Sequence, residues 1–208
     1  YDAEGTFDGG KYTKALDGEY YTGYQSYAIL NRSARYWNYN VSYRDISPTG
    51  RRDNGYIGIN DYREIASWQG YMFYTDSKTF LRIQPQFYGY IRSFYDGTPI
   101  EQFLQPQVWI QFSNQISLSS GFALVNNEKF GGVFHEGVRR GYINFNINTF
   151  KLITLGGYFD MGKYIVRSDE PSVGYGMSIS LWSTFKPLSN LTMQNYYDYF
   201  ELENGYKG

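Results

Sequence analysis

Apolar and polar residues alternate along most of this chain with a period of two. That is the period of a β-strand, whose successive side chains leave on opposite faces. Seven stretches keep the alternation strictly, and the apolar face of each carries no charge. Ile116, Leu118, Phe122 and Leu124 line one such face, with Ser120 its only polar member, against Ser117, Ser119, Gly121 and Ala123. Val173, Tyr175, Met177, Ile179 and Leu181 line another, against Gly174, Gly176, Ser178, Ser180 and Trp182. The pattern predicts ten strands, at 20–30, 35–45, 61–74, 79–92, 100–112, 115–125, 138–148, 150–161, 173–186 and 190–202. Most have at least 11 residues. Globular strands average about 5–6, whereas a tilted membrane strand needs about 9–11.

The connections add a second regularity. Tight joints are predicted near Asn31–Ala34, Thr75–Lys78, Ser113–Asn114, Asn148–Thr149 and Pro187–Asn190. Longer connections fall between them at Ile46–Asn60, Ser93–Pro99, Asn126–Gly137 and Gly162–Ser172. Short and long alternate throughout, as do the periplasmic turns and extracellular loops of an outer-membrane β-barrel. A Greek-key sandwich would not keep that order. The tight turns recur every 35 to 44 residues without a repeated motif, so they mark hairpins and not a solenoid.

The two faces differ in kind. A lipid side is predicted from Trp37, Tyr39, Val41, Tyr43; Leu81, Ile83, Phe87, Ile91; Leu104, Val108, Ile110, Phe112; Ile143, Phe145, Ile147; and Ile153, Leu155, Phe159, Met161. The other side holds Asn38, Asn40, Ser42 and Arg44, then Asn144, Asn146, Thr154 and Asp160, with few Lys or Glu. Such residues suit hydrogen-bond networks in a lumen better than a surface in bulk water. A charge on the lipid side near the midplane costs about 2–4 kcal/mol, which accounts for its scarcity there.

Three features strain this pattern. Strands 20–30 and 61–74 alternate poorly: Tyr71 and Met72 are adjacent, and Trp68 shares a face with Glu64. Asn195 falls on the lipid side of the last strand. Pro85 and Pro106 lie mid-strand in Gln-Pro-Gln triplets, nearly opposite each other, and a local bulge or widened pairing is expected there.

Composition narrows the class. Tyr (24), Phe (15) and Trp (4) make up 21% of 208 residues. Aromatic girdles line both rims of membrane barrels, although carbohydrate-binding sandwiches are aromatic-rich too. Mean hydropathy is −0.53, and no apolar run approaches the roughly 20 residues of a membrane helix. A helical membrane protein is thereby excluded and a barrel is not. The net charge of −1 gives no electrostatic case for nucleic acid, and the chain has no cysteine. Tyr1–Gly10 lack the basic and apolar regions of a signal peptide, as expected of a mature chain or an excised piece. The expected organisation is an N-terminal loop or incomplete strand over 1–18 and an antiparallel up-and-down transmembrane barrel segment over 19–208. Asn204–Gly208 read as a loop beyond the last strand, so a barrel larger than this chain is expected.

Several motifs carry a resemblance. They are Asp45-Ile46-Ser47-Pro48, Asp53-Asn54-Gly55-Tyr56-Ile57, Asp61-Tyr62-Arg63, Pro171-Ser172-Val173-Gly174-Tyr175-Gly176, Phe185-Lys186-Pro187-Leu188-Ser189-Asn190-Leu191 and Tyr196-Tyr197-Asp198-Tyr199. Over roughly residues 30–203 the chain resembles a family of uncharacterised Gram-negative outer-membrane barrels that commonly follow a module like family 9 carbohydrate-binding domains. It departs from that pattern at Gly50 and Ile59, where the family carries an aromatic and an arginine. The resemblance implies further strands after Gly208 and a soluble module before Tyr1, and it supplies no catalytic residues.

Candidate chemistry is sparse. His135, beside Glu136, is the only histidine and is expected to be solvated in the Asn126–Gly137 loop. No serine has a nucleophile-elbow context, no calcium-loop spacing appears, and Gly131-Gly132 and Gly156-Gly157 read as loop or strand bends. The group that stands out is Arg82, Gln84, Gln86, Tyr88, Tyr90 and Arg92 facing Gln105, Gln107, Trp109 and Gln111. Adjacent strands place these on one lumen wall, and amides and guanidinium groups beside aromatic rings suit sugars or peptides. The same residues would equally form a self-satisfied network that stiffens the wall or holds a plug. The expected function is a channel, transport or binding barrel for a polar solute such as oligosaccharide or peptide, in the bacterial outer membrane. The alternative is a structural or assembly barrel anchoring a surface module or partner protein. No enzyme activity, cofactor or metal is expected. The expected partners are the lipid bilayer, a polar solute or carbohydrate, and other outer-membrane or surface proteins, with no nucleic acid.

Overall fold

Period-two patterning produces strands throughout. In the computed structural model, which describes residues 6–7, 12–13, 22–50 and 60–203, no helix occurs among the described residues. The strands are β1 (Thr6–Phe7), β2 (Tyr12–Thr13), β3 (Gln25–Arg32), β4 (Trp37–Ile46), β5 (Tyr62–Tyr71), β6 (Phe73–Tyr74), β7 (Phe80–Phe94) and β8 (Pro99–Phe112), followed by β9 (Ile116–Phe122), β10 (Val125–Phe130), β11 (Val133–His135), β12 (Arg140–Ile147), β13 (Ile153–Val166), β14 (Ser172–Leu188) and β15 (Leu191–Leu202). β1 and β2 pair only with each other, where one incomplete strand was expected. The rest form one 13-stranded antiparallel sheet. Its main path runs β15-β14-β13-β12-β9-β8-β7-β5-β4-β3, with β6 on β7, and β10 on both β8 and β11. β3 and β15 end the path and do not pair, so the sheet is not closed.

The ten predicted strands are the ten members of that path. The weak alternation of 61–74 has a local cause. β5 stops at Tyr71, the amide of Met72 turns to donate to the Tyr36 carbonyl at 2.8 Å, and β6 resumes alongside β7. The 115–125 stretch similarly continues past a kink at Ala123 into β10, and both β9 and β10 lie along β8.

Three of the predicted long connections are shorter than expected. Tyr95–Thr98 is a tight turn closed by Gly97 N–H donating to Phe94 C=O at 3.0 Å. The Asn126–Gly137 stretch is the β10–β11 hairpin, turning at Gly131 and Gly132, where φ values of +59° and +80° suit glycine. β13 and β14 extend until only Arg167–Pro171 separates them. Pairing satisfies the backbone of these mixed stretches, so strands run on through glycines and charges that read as loop in the sequence. Most of Ile46–Asn60, with the Asp53–Ile57 motif, lies outside the described residues.

The proline expectation is also corrected. β7 and β8 stay in register through both residues, Pro85 opposite Val108 and Phe87 opposite Pro106, and the irregularities lie at Phe80/Arg82 and Arg92/Ser93. Leu104 C=O accepts from Leu124 N–H at 2.9 Å, so residues 104 and 106 aim their backbone groups away from β7. Pro106 therefore faces the kink between β9 and β10. By the same alternation Pro85 faces the break between β5 and β6. Each missing N–H falls where the ladder is already interrupted.

Among the described residues, substantial contacts between elements are those of neighbouring strands alone. The predicted faces hold in register across the sheet: Tyr43, Ile65 and Ile91 lie in one row, and Ile143, Phe159, Ile179 and Tyr199 in another. Along the inner strands the apolar face is the exposed one, with Ile65 at 59%, Ile91 at 62%, Ile143 at 48% and Met161 at 57% of full exposure, against 7% for Gln84 and 5% for Asp160 on the polar face, whereas the edge strands β3 and β15 are exposed on both faces. In a single-layered sheet such inequality means curvature toward the polar side. No large side chain among the described residues is completely buried. Among the described residues, the buried apolar cluster is Ile46, Tyr62 and Ile100 with Phe94, at the strand ends beside the Ile46–Asn60 connection. Along the main path, charge on the apolar face is confined to strand ends: Arg32 at one, and Asp45, Arg63, Lys163 and Glu201 at the other. Asn195 lies there as expected, its amide donating to the Ser183 hydroxyl at 3.3 Å.

Candidate functional site

The strands β7 and β8 bring all ten predicted wall residues onto the polar face. Arg82 stands opposite Gln111, Gln84 opposite Trp109, Gln86 opposite Gln107 and Tyr88 opposite Gln105, while Tyr90 and Arg92 face Phe103 and Glu101. The glutamines form a continuous ladder of amides. Gln86 Nε2 donates to Gln84 Oε1 at 2.8 Å, Gln107 Nε2 to Gln86 Oε1 at 2.7 Å, and Gln105 Nε2 to Gln107 Oε1 at 3.1 Å. Trp68 Nε1 joins at Gln86 Oε1, at 3.2 Å, and the Tyr142 hydroxyl at Gln107 Oε1, at 2.6 Å. Gly70 leaves room for this ladder, because a Cβ there would lie 2.8 Å from Gln84 Nε2. Tyr88, Tyr90 and Phe103 pack beside it, Tyr90 stacking on Phe103 at 5.4 Å.

Toward the end nearest the Tyr95–Thr98 turn the wall becomes ionic. Arg44, Glu64, Arg92, Glu101, Glu128 and His135 occupy one cross-strand row. Arg92 bridges two carboxylates, Glu64 at 2.5 Å and Glu101 at 3.2 Å, with all three side chains largely covered. Arg167 reaches Glu128 at 2.6 Å. His135 is buried in β11 with Nε2 3.3 Å from the Phe130 carbonyl, which corrects the expectation of a solvated loop residue. The β10–β11 pairing that shelters it sits in a stretch without clear alternation.

On the opposite surface a polar cluster occupies the same strand ends. Asp45 accepts from Tyr43 Oη at 2.8 Å, from Arg63 Nε at 3.2 Å, and from the Tyr95 hydroxyl. Arg63 lies over the Tyr95 ring at 4.1 Å. In the turn between β7 and β8, Thr98 N–H donates to Asp96 at 2.8 Å and holds that carboxyl below the usual aspartate range.

Sequence reasoning missed the contributions of Trp68, Glu64, Glu101, Tyr142 and Tyr158 to the polar wall. Trp68 and Glu64 had looked like a fault in the pattern. Their shared face was the available signal, since a tryptophan beside a glutamate suits a polar lumen and not a lipid face. Among the described residues, no cluster of three or more His, Cys, Asp or Glu side chains is placed to hold a metal ion. No family model matches this chain, and neither a curated protein nor a solved structure does.

Proposed function

We propose that this sheet is part of the wall of an outer-membrane β-barrel, with its apolar face against lipid and its polar face lining a lumen that passes or binds a polar solute. The observation that carries the reading is the inverted burial. Along the inner strands of the main path the apolar face is the more exposed while glutamine, arginine and aspartate side chains occupy the sheltered side, and only at the edge strands β3 and β15 are both faces open. Soluble monomers rarely expose apolar patches beyond a few hundred Å², and in lipid that same face is satisfied. The confinement of charge to strand ends agrees with a membrane slab, where its cost falls to about 0–1 kcal/mol near the interfaces. The unpaired edges of β3 and β15 are where further strands would complete the barrel, since open edges are not tolerated in hydrocarbon. The motif resemblance to Gram-negative outer-membrane barrels belongs to the same proposal.

The self-satisfied glutamine ladder favours a second reading, a rigid wall that anchors a surface module or partner without transport. The full-length protein in planar bilayers and sugar-loaded liposomes separates the two. Steady conductance and solute uptake are expected for transport, and a folded, inserted protein showing neither would leave anchoring. Heat-modifiable migration on SDS gels tests the membrane frame itself. A chain soluble without detergent and insensitive to boiling would remove both readings.

A further inference from the structure

Away from the glutamine ladder, the polar face carries a cavity of about 210 Å³ between Gln105 of β8, Arg140 and Tyr142 of β12, and Tyr158 and Asp160 of β13. Asp160 is pinned in it: its side chain is 7% exposed, and its Oδ1 is buried with no hydrogen-bond partner. The hydroxyl of Tyr164, four residues along the same face, is also buried without a hydrogen bond of ordinary geometry, and it and the Tyr158 hydroxyl both lie close enough to the Asp160 carboxylate to interact with it. Asp160 Oδ2 stands 3.9 Å from Arg140 Nε, beyond ordinary hydrogen-bond length. The Arg140 side chain is 41% exposed, and its guanidinium carbon lies 5.0 Å from the centre of the Tyr164 ring. Tyr142 and Tyr158 stack with ring centres 5.8 Å apart and planes 23° apart. The Tyr142 hydroxyl is already committed to Gln107.

A buried carboxylate oxygen whose neighbouring hydroxyls make no hydrogen bond of ordinary geometry is costly, so a well-placed donor is favoured there. Arg140 beside it calls for an acceptor. A cationic ligand would meet Arg140, and an anionic one would meet Asp160. Hydroxyl groups donate and accept at once, and the apolar face of a sugar ring packs on an aromatic side chain. The cavity lies below the roughly 300–1,000 Å³ of pockets for drug-sized ligands, so it admits one ring at a time.

We propose that this cavity is a subsite for one neutral pyranose unit of an oligosaccharide, with Asp160 accepting from a ring hydroxyl, Arg140 and Gln105 donating, and Tyr158 supplying an apolar platform. The proposal rests on the reading of the polar face as solute-facing and names the solute class.

The test is titration calorimetry on the full-length protein in detergent, with maltohexaose, cellohexaose and xylohexaose as probes and trilysine as the cationic comparison. Saturable binding of at least one sugar is expected, weakened at least about tenfold by Asp160→Asn and about threefold by Gln105→Ala. Trilysine is expected not to saturate. Binding of none of the three sugars, sugar binding unmoved by both substitutions, or Asp160-dependent binding of trilysine would each overturn the subsite. Heat-modifiable migration checks that each variant is folded, and Gln105→Ala decides alone where Asp160→Asn does not fold. Conductance of the same preparations keeps the two levels apart. A conducting barrel that binds none of the sugars loses the subsite only, whereas a water-soluble, non-conducting protein loses the reading beneath it.

Discussion

Gly156 stands opposite Trp182 in the β13–β14 register, and a Cβ there would come within 2.2 Å of the indole ring. The glycine lets the ring lie flat across its neighbour, as aromatic residues often do over strand glycines. Gly156→Ala is expected to destabilise by about 1–3 kcal/mol, the cost of an overpacked site. Urea unfolding in lipid vesicles measures this, and Trp182→Leu in the Gly156→Ala background should recover much of the loss. Arg92 offers a second residue-scale test. Removing it as Arg92→Met leaves Glu64 and Glu101 on neighbouring strands without their shared cation. The expected loss is about 2–4 kcal/mol, larger than for Glu64→Gln, because an uncompensated covered charge costs more than a missing contact. Equal losses in the two variants would mean that Arg92 contributes packing and not charge. The ten wall residues were legible because period two fixes a face. Trp68 and Glu101 lie on the same face by the same period, but their pairing with these residues was not legible, because cross-strand register depends on turns that the pattern leaves loose.

At the level of the element, Pro85 and Pro106 show how a local rule is met by a neighbour's interruption. Each ring faces a break, at Met72 or at Ala123–Leu124, so neither removes a bond that the ladder would otherwise make. Pro85→Ala and Pro106→Ala should each change stability by less than about 1 kcal/mol, whereas Ile110→Pro in the uninterrupted part of β8 should cost about 3 kcal/mol or more. Unfolding midpoints of the three variants check the contrast, and a large loss at either native proline would contradict the geometry. The sequence showed the prolines and the poor alternation of 61–74 but did not connect them. Both are marks of strand breaks, and only the pairing of β7 with β5, β6 and β8 joins the two. The β10–β11 hairpin and the extended β13–β14 hairpin escaped for a related reason. Such mixed ribbons satisfy their backbones by pairing and need no strict alternation to advertise them.

For the whole molecule, the legible part was the two-faced sheet itself, since Ile143, Phe159, Ile179 and Tyr199 align across strands as their spacing required. Its closure was not legible, and β3 and β15 remain unpaired edges. In the proposed membrane frame, Ile143→Arg is expected to cost about 2–4 kcal/mol while Lys163, near a strand end, is already tolerated. Folding into vesicles measures that difference. The central claim is that the apolar face meets lipid and the polar face meets water. The chain has no cysteine, so single cysteines can be placed at Ile91, Ile143 and Met161 on one face and at Gln107, Ser119 and Asn144 on the other. In the full-length protein reconstituted in vesicles, a membrane-impermeant maleimide should label the second set and spare the first, and brominated lipid should quench a fluorophore only on the first. Equal aqueous labelling of both sets, with no quenching by lipid, would contradict the account.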